Sequence, residues 1–175
     1  MANNTDARVS ERAGKYLTFK LAAEDYGLEI LKVREIIGMM DITAVPRTPT
    51  FVKGVINLRG KVIPVVDLRE KFGMEAAEQT EETCIIVVDV GKVEMGIIVD
   101  KVSEVLDIPG EDIQDTPSLG TGVNTDFILG IGKTGDGVKI LLDIDRVLSV
   151  NEVCDLTTVT DGIREEETKQ LNPER

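Results

Sequence analysis

The sequence predicts a mainly β protein made of two similar small β-barrels with short helices. Aromatic residues are only 3% of the chain and Trp is absent, so Val, Ile and Leu must form the core, and these favour strands wherever they alternate. The apolar runs are short and bounded by turn residues. The chain also repeats its own pattern, and closing short sheets into barrels removes exposed strand edges.

The first apolar runs predict a hairpin followed by a turn. Apolar residues alternate in YLTFKLA (16–22) and again in YGLEI (26–30), so we expect two strands with one buried side. In ILKVREII (30–37) the apolar spacing changes to three and four residues, which predicts a single helical turn that redirects the chain.

The stretch GVINLRGKVIPVVDLREKF (54–72) predicts a second hairpin and a capped helix. Its two strands meet at Arg59 and Gly60, where glycine can adopt the positive φ of a tight turn. Asp67, with Glu70 three residues later, is typical of a capping box, and Gly73 is typical of a helix end.

These elements recur later in the chain. GLEILKVREII aligns without gaps on GIIVDKVSEVL at an offset of 69 positions (27 to 96), and 54–72 aligns on 130–148 at an offset of 76. We therefore expect a first repeat over 15–73 and a second over 83–150, with strand exchange between them left open.

The same alignment locates the parts of the chain that the repeat does not explain. The two offsets differ by seven residues, which places an insertion between Asp107 and Leu129 of the second repeat. Polar tails are expected at 1–14 and 151–175, outside a folded region over 15–150. Grooves for partners tend to lie between packed modules.

Composition excludes several classes of function. A net charge of −12 and a pI near 4.5 argue against nucleic acid and against direct membrane insertion, and no run of about 18 apolar residues exists. The start of the chain lacks the apolar segment of a secretion signal, so we expect a cytoplasmic protein. The chain has no His, which excludes catalytic triads that use histidine, histidine-ligated zinc sites and histidine phosphorelay on this chain.

No cofactor or metal is expected. Cys84 and Cys154 match no metal or redox spacing and are interpreted as small buried residues. The motif GIGKTG (130–135) satisfies G-x-G-x-x-G, but an alternating β-branched run follows it and the repeat aligns it with the Arg59 turn. We interpret it as a hairpin tip. A nucleotide-binding or carboxylate-based enzyme remains the alternative.

Arg59 differs in kind from the other candidates, because nothing in the repeat requires it: Gly135 occupies the matching position. A guanidinium at a hairpin tip of an acidic protein suits carboxylate or carbonyl groups of a partner, although a solvated turn residue is the simpler interpretation. Glu35 and Glu104 occupy matching positions of the repeat. We interpret them either as solvent-exposed surface residues or as contacts to a partner.

Long segments resemble the CheW family of chemotaxis coupling proteins. These are FKLAAEDYGLEILKVREII, PTFVKGVINLRGKVIPVVDLREKFG, GIIVDKVSEVL and ILLDIDRVL, which span about Tyr16 to Val150. The resemblance implies two five-stranded β-barrels and a non-catalytic adaptor, monomeric when isolated. Such adaptors connect the cytoplasmic tips of chemoreceptors to the regulatory domain of the CheA histidine kinase in membrane-associated arrays. A CheW-like adaptor of another pathway, or one half of a fusion with a receiver domain, remains an alternative.

The resemblance also implies site residues. The positions expected to contact a receptor are Val33, Glu35, Ile36, Arg59, Val102 and Val105. The resemblance itself implies the roles of Val33, Glu35, Arg59 and Val105, and a place in the core is the simpler interpretation of the four apolar residues. The kinase contact in the family involves the second barrel and the loop before its last hairpin, where Gln114 and Leu119 stand in this sequence. Relatives can offer an arginine and a phenylalanine there, so this part of the sequence departs from the family pattern.

Overall fold

Two antiparallel-rich sheets carry the fold in the computed structural model, which describes residues 12–117, 125–135 and 137–148. The strands in those residues are β1 Gly14–Leu21, β2 Glu24–Glu29, β3 Val33–Gly38, β4 Val52–Leu58, β5 Lys61–Asp67, β6 Cys84–Val90, β7 Val93–Val99, β8 Lys101–Ile108, β9 Ile113–Gln114, β10 Ile128–Thr134 and β11 Gly137–Leu142. Two short helices, α1 Leu68–Lys71 and α2 Ile144–Val147, follow β5 and β11, and 3-10 turns occupy Ile30–Lys32 and Gly110–Asp112.

The prediction of a mainly β protein with two β-modules is confirmed. The five-stranded module has the order β3-β6-β7-β5-β4, and the six-stranded module has the order β8-β1-β2-β11-β10-β9. The repeat offsets of 69 and 76 positions match each strand of the five-stranded module with a strand of the six-stranded module, in the same order. Strand β9 is the additional strand and lies at the edge. The repeat is therefore present in the structure as well as in the sequence.

Each module combines strands of both repeats. The β1–β2 hairpin of the first repeat pairs with β8 and β11 of the second. Conversely, the β6–β7 hairpin of the second repeat pairs with β3 and β5 of the first. The two hairpins are thus exchanged symmetrically, and neither sheet can form from one repeat alone.

A bent chain segment brings the two edges of each module together. In the six-stranded module, the segment that forms edge strand β8 turns at Gly110–Asp112 and becomes β9, which pairs with β10 on the other edge. In the five-stranded module, the chain beyond β3 reaches β4 through a single bridge between Thr43 and Val55. Both modules are therefore barrel-like, although the ladders do not close completely.

Two matching glycines permit this closure. A Cβ at Gly54, where φ is +139°, would lie 1.9 Å from the Thr43 carbonyl oxygen, and a Cβ at Gly130 would lie 2.8 Å from that of Gln114. The register shifts at both glycines, which marks β-bulges. A side chain would push the bent segment away from the sheet.

The predicted hairpins and helix N-caps are confirmed, but the capping box is not, because the Asp67 N–H donates to the Phe51 carbonyl oxygen and not to Glu70. Asp67 accepts hydrogen bonds from the backbone N–H groups of Arg69 and Glu70, and Asp143 accepts one from Asp145. The GIGKTG segment ends β10 and leads into β11, so it is a hairpin tip without a following helix. Strand β9 is the counterpart of the Thr43 bridge, because Gln114 pairs with Ile131 as Thr43 does with Val55, so most of the predicted seven-residue insertion follows Gln114.

The predicted helical turn is confirmed at Ile30–Lys32, but it is shorter than expected, because Val33 and Ile36 belong to strand β3. In the second repeat the prediction is wrong: Val99 ends β7, Asp100 is a bend and the rest of the matching segment is strand β8. A second local prediction is also wrong. The first hairpin does not have a single buried side, because Tyr16 and Thr18 on the other face of β1 are buried as well. That face of β1 covers the interior of the six-stranded module.

Three hydrophobic clusters follow from this arrangement. The largest, which we call the shared core, contains residues of both modules and lies between them. A second cluster, around Ile56 and Ile63, fills the five-stranded module, and a third, around Tyr16 and Leu141, fills the six-stranded module. Within the described residues no helix is long and apolar enough to cross a membrane. The predicted tail over 151–175 lies outside the described residues.

Candidate protein-binding surface

Edge strand β3 presents two different faces because a bulge interrupts it. The register shifts between Val33 and Glu35, which leaves Arg34 as the extra residue. Val33 and Ile36 consequently pair with residues of the shared core, whereas Glu35 pairs with Val87 of the five-stranded module's own core. Val33 is partly buried against the shared core, and Ile36 is 46% exposed.

Strand β8 repeats this arrangement in the other module. Val102 and Val105 pair with Phe19 and Leu17, both members of the shared core, and the register shifts beside Glu104. Val102 packs against the shared core, and Val105 is 49% exposed. The structure therefore brings four of the predicted residues to the rim of one core. We call Val33, Ile36, Val102 and Val105 the seam surface.

Cys84, in the five-stranded module, contacts the start of β8. Its thiol lies in hydrogen-bonding contact with the Val102 backbone, and Cys84 itself pairs with Gly38 at the end of β3. Burial raises the pKa of the Cys84 thiol, against a smaller lowering by the Val102 hydrogen bond. The thiol is therefore neutral at neutral pH, as expected for a packing residue. Cys154 lies outside the described residues.

Arg59 and Glu35 meet directly. The Arg59 guanidinium Nη2 donates to Glu35 Oε1 across the gap between β3 and the β4–β5 tip. The Arg59 side chain is 70% exposed and the Glu35 side chain 33%. The sequence predicted both residues as partner contacts but did not predict that they pair with each other.

The turn that carries Arg59 holds it in an unusual backbone conformation. Arg59 has a φ of 52° and Gly60 a φ of 85°, while the Asn57 side chain accepts a hydrogen bond from the Gly60 N–H at 2.8 Å. Both central residues are thus left-handed, as in the two-residue turns that match strand twist. A left-handed arginine costs of order 1 kcal/mol, so the side chain is retained despite a backbone cost.

Sequence reasoning missed other exposed apolar residues. Val62 is 45% exposed and Val138 is 55% exposed, and the offset of 76 positions makes them equivalents at the start of β5 and β11. Leu31, in the 3-10 turn between the modules, is 91% exposed. The repeat alignment could have identified the Val62 and Val138 pair, whereas no periodic signal marks Leu31.

The predicted kinase-facing residues lie elsewhere. Gln114 is exposed on β9, which follows β8 along the chain after the 3-10 turn at Gly110–Asp112. Leu119 lies outside the described residues. Gln114 therefore lies on a different strand from the residues of the seam surface.

The described residues contain no candidate metal site. No group of three or more acidic or Cys side chains in them could hold a metal ion. The seam surface is apolar, flanked by one acid and one guanidinium, which suits protein recognition.

Comparison with known proteins gives a consistent result. The family model described as CheW-like domain matches residues 15–152. The chain is 41% identical over 152 residues to a chemotaxis protein CheW of Klebsiella aerogenes, covering 84% of this chain and 92% of that protein. It is 32% identical over 149 residues to a chemotaxis protein CheW of Treponema pallidum, covering 83% of this chain and 88% of that protein.

A solved structure shows the same fold. The crystal structure of the scaffolding protein TtCheW from Thermoanaerobacter tengcongensis superposes with a TM-score of 0.73 at 39% sequence identity. The match covers 80% of this chain and 95% of that one. The exchange of hairpins between modules therefore belongs to a fold already observed in a scaffolding protein.

Proposed function

Because this chain belongs to the CheW-like family, we propose that it is a non-catalytic chemotaxis adaptor that couples chemoreceptor cytoplasmic tips to the CheA histidine kinase. The single observation that supports a receptor site most strongly is the convergence of Val33, Ile36, Val102 and Val105 on the rim of the shared core. These residues come from two edge strands, one in each module.

The chemistry of the seam surface suits a helical partner. A receptor tip is a helical hairpin, and an apolar groove can bind a helix by burying side chains spaced three and four residues apart. Burial of apolar side chains supplies the affinity, while Glu35 and Arg59 at the edge fix the orientation. This adaptor needs no reaction chemistry, and its recruitment to arrays follows from binding alone.

The kinase is proposed to bind the six-stranded module near Gln114. The two regions use different strands, β9 for the kinase and β3 and β8 for the receptor, and we expect one molecule to hold both partners simultaneously. Gln114 cannot make the charged contact that an arginine makes, and we therefore expect apolar contacts to contribute more to this interface.

Isothermal titration with a receptor-tip fragment and, separately, with the kinase regulatory domain tests the proposal. Wild-type protein should bind both. Val105→Asp, which puts a charge on the seam surface, should weaken receptor binding by at least about tenfold, as for loss of a central anchor. Kinase binding should not change.

Val138→Asp is a matched control, because Val138 is similarly exposed but lies at the β10–β11 hairpin rather than on the seam surface. It should leave receptor affinity unchanged. Binding of wild-type protein to neither partner would overturn the proposed function. An equal loss of receptor affinity in Val105→Asp and Val138→Asp would show that the seam surface is not the receptor site.

A further inference from the structure

The two modules differ at one equivalent place, the gap between an edge strand and a hairpin tip. In the five-stranded module this gap separates β3 from the β4–β5 tip, and in the six-stranded module it separates β8 from the β10–β11 tip. The repeat offsets equate Glu35 with Glu104, Leu58 with Thr134 and Arg59 with Gly135. The acid is kept, but the aliphatic residue and the arginine are not.

The five-stranded module fills its gap with its own side chains. Leu58 packs against the core of that module, and Arg59 reaches Glu35. The hairpin tip therefore supplies one apolar group and one guanidinium to the opposite strand.

The six-stranded module has a cavity of about 700 Å³ at the matching place. A smaller, polar residue replaces the aliphatic one at the tip: Thr134 stands where Leu58 does in the other repeat. The cavity is lined by Leu106, Ile108 and Pro109 on one side and by the tip residues Thr134 and Gly135 on the other.

The charges around this cavity are mainly negative. Glu104, Asp107 and Asp112 lie in its lining, against a single cation, Lys133. Among the described residues, no Lys or Arg forms a salt bridge with any of these three acids. A cleft with apolar walls and an acidic rim suits a side chain that is both aliphatic and cationic.

We propose that this cleft, lined by Glu104, Asp107, Ile108 and Gly135, binds a turn of a partner protein in which an aliphatic residue precedes an arginine. The partner turn supplies in trans what Leu58 and Arg59 supply within the five-stranded module. Its guanidinium donates to Glu104 and the neighbouring acids, and its aliphatic residue packs on Leu106 and Pro109. The inference deepens the proposed adaptor function, because it specifies the chemistry of a second protein partner.

Gly135 provides a direct test. A Cβ at this position meets no atom within 4 Å, and Gly135 is not among the glycines with positive φ. Gly135→Arg should therefore fold normally and place a guanidinium opposite Glu104, as Arg59 stands opposite Glu35. This variant fills the cleft from within.

The binding experiment is an NMR titration of the isotope-labelled full chain with the peptide acetyl-Leu-Arg-Gly-amide. We expect saturable shifts at the amides of Glu104, Ile108 and Gly135. The same peptide with citrulline, a neutral isostere of arginine, should bind at least about fivefold more weakly. Gly135→Arg and Glu104→Gln should both abolish the shifts, whereas Glu111→Gln, which removes an exposed acid outside the cleft lining, should not.

Equal shifts with the citrulline peptide, or shifts that persist in Gly135→Arg, would overturn the proposal. So would an absence of any shift at these amides. Receptor-tip binding by the same wild-type sample separates this result from the proposed function. Receptor binding without peptide binding refutes only the cleft, and peptide binding without receptor or kinase binding refutes only the adaptor function.

Discussion

At the scale of single residues, Arg59 carries the clearest conflict between stability and recognition. Its left-handed backbone costs of order 1 kcal/mol, and an exposed pair with Glu35 contributes only about 0.2 to 1 kcal/mol. These contributions nearly cancel. We therefore expect Arg59→Gly to change the free energy of unfolding by less than about 1 kcal/mol, as measured in urea. A loss well above that would make Arg59 a structural residue.

The Arg59–Glu35 pair raises the question of whether it braces the fold or contacts the receptor. Exchanging the two charges, with Glu35→Arg and Arg59→Glu together, keeps an ion pair inside the protein but reverses the charges that a partner meets. If the residues orient a receptor, each single variant and the double variant should all weaken binding at least about fivefold. Titration with a receptor tip measures this. Restoration of wild-type affinity in the double variant would show instead that the pair acts as an internal brace.

Asp25 gives the protein a specific sensitivity to acid. Burial raises its pKa, but hydrogen bonds from Lys20 and Lys139 lower it by more, so the pKa lies below the ordinary value of 3.8. A carboxyl whose folded pKa is lowered stabilises the fold above its unfolded pKa, and this contribution is lost as the pH falls through the folded pKa.

Asp25→Asn should consequently lower the free energy of unfolding near neutral pH. The loss should shrink as the pH falls below about 4, where wild-type Asp25 becomes protonated. Urea titrations across that range measure the difference. Asp41→Asn is the control for the loss of a carboxylate at an exposed position. A difference between Asp25→Asn and wild type that stays constant with pH would contradict the assignment.

At the scale of elements, the two capped helices offer a comparison within one molecule. Asp67 accepts two backbone hydrogen bonds and Asp143 accepts one, at matching positions of the repeat. Replacing an N-cap Asp with Ala typically costs about 0.5 to 2 kcal/mol. We expect Asp67→Ala to lie toward the upper end and Asp143→Ala toward the lower end, by urea unfolding. The reverse order would show that cap bonds do not control the stability of these ends.

Elements with strong local signals could be predicted from the sequence. The tip at Arg59 and Gly60 and the cap at Asp67 depend on residues next to each other in the chain, and both are confirmed. Strand β3 could not be predicted in this way. Its bulge at Arg34 places Val33 and Ile36 on one face at a spacing of three, which imitates the spacing of a helix.

At the scale of the whole molecule, the exchange of hairpins could not be predicted, because the repeats have equivalent strands. The edges of the β1–β2 hairpin can pair with strands of either repeat, because both repeats have the same alternating pattern. The pairing of Glu35 with Arg59 escaped prediction for a related reason, since the two residues are 24 positions apart. The resemblance indicated that both matter, but only the fold brings them together.

Hairpin exchange makes a direct prediction about fragments. Cutting the chain between Ala77 and Glu78 separates β1–β5 from β6–β11, so each fragment loses partners for its exchanged hairpin. Neither fragment should show cooperative urea unfolding alone, and mixing the two should restore it. Circular dichroism measures both. A fragment that unfolds cooperatively by itself would mean that one repeat is sufficient for a module.

The adaptor function is tested most directly by reconstituting kinase control. Receptor-containing membranes and CheA kinase are combined with this protein, and kinase autophosphorylation is measured with and without receptor ligand. We predict that the protein raises kinase activity and makes it respond to the ligand, and that Val105→Asp abolishes that response while Val138→Asp retains it. Kinase activity that stays the same with and without the protein would contradict the account.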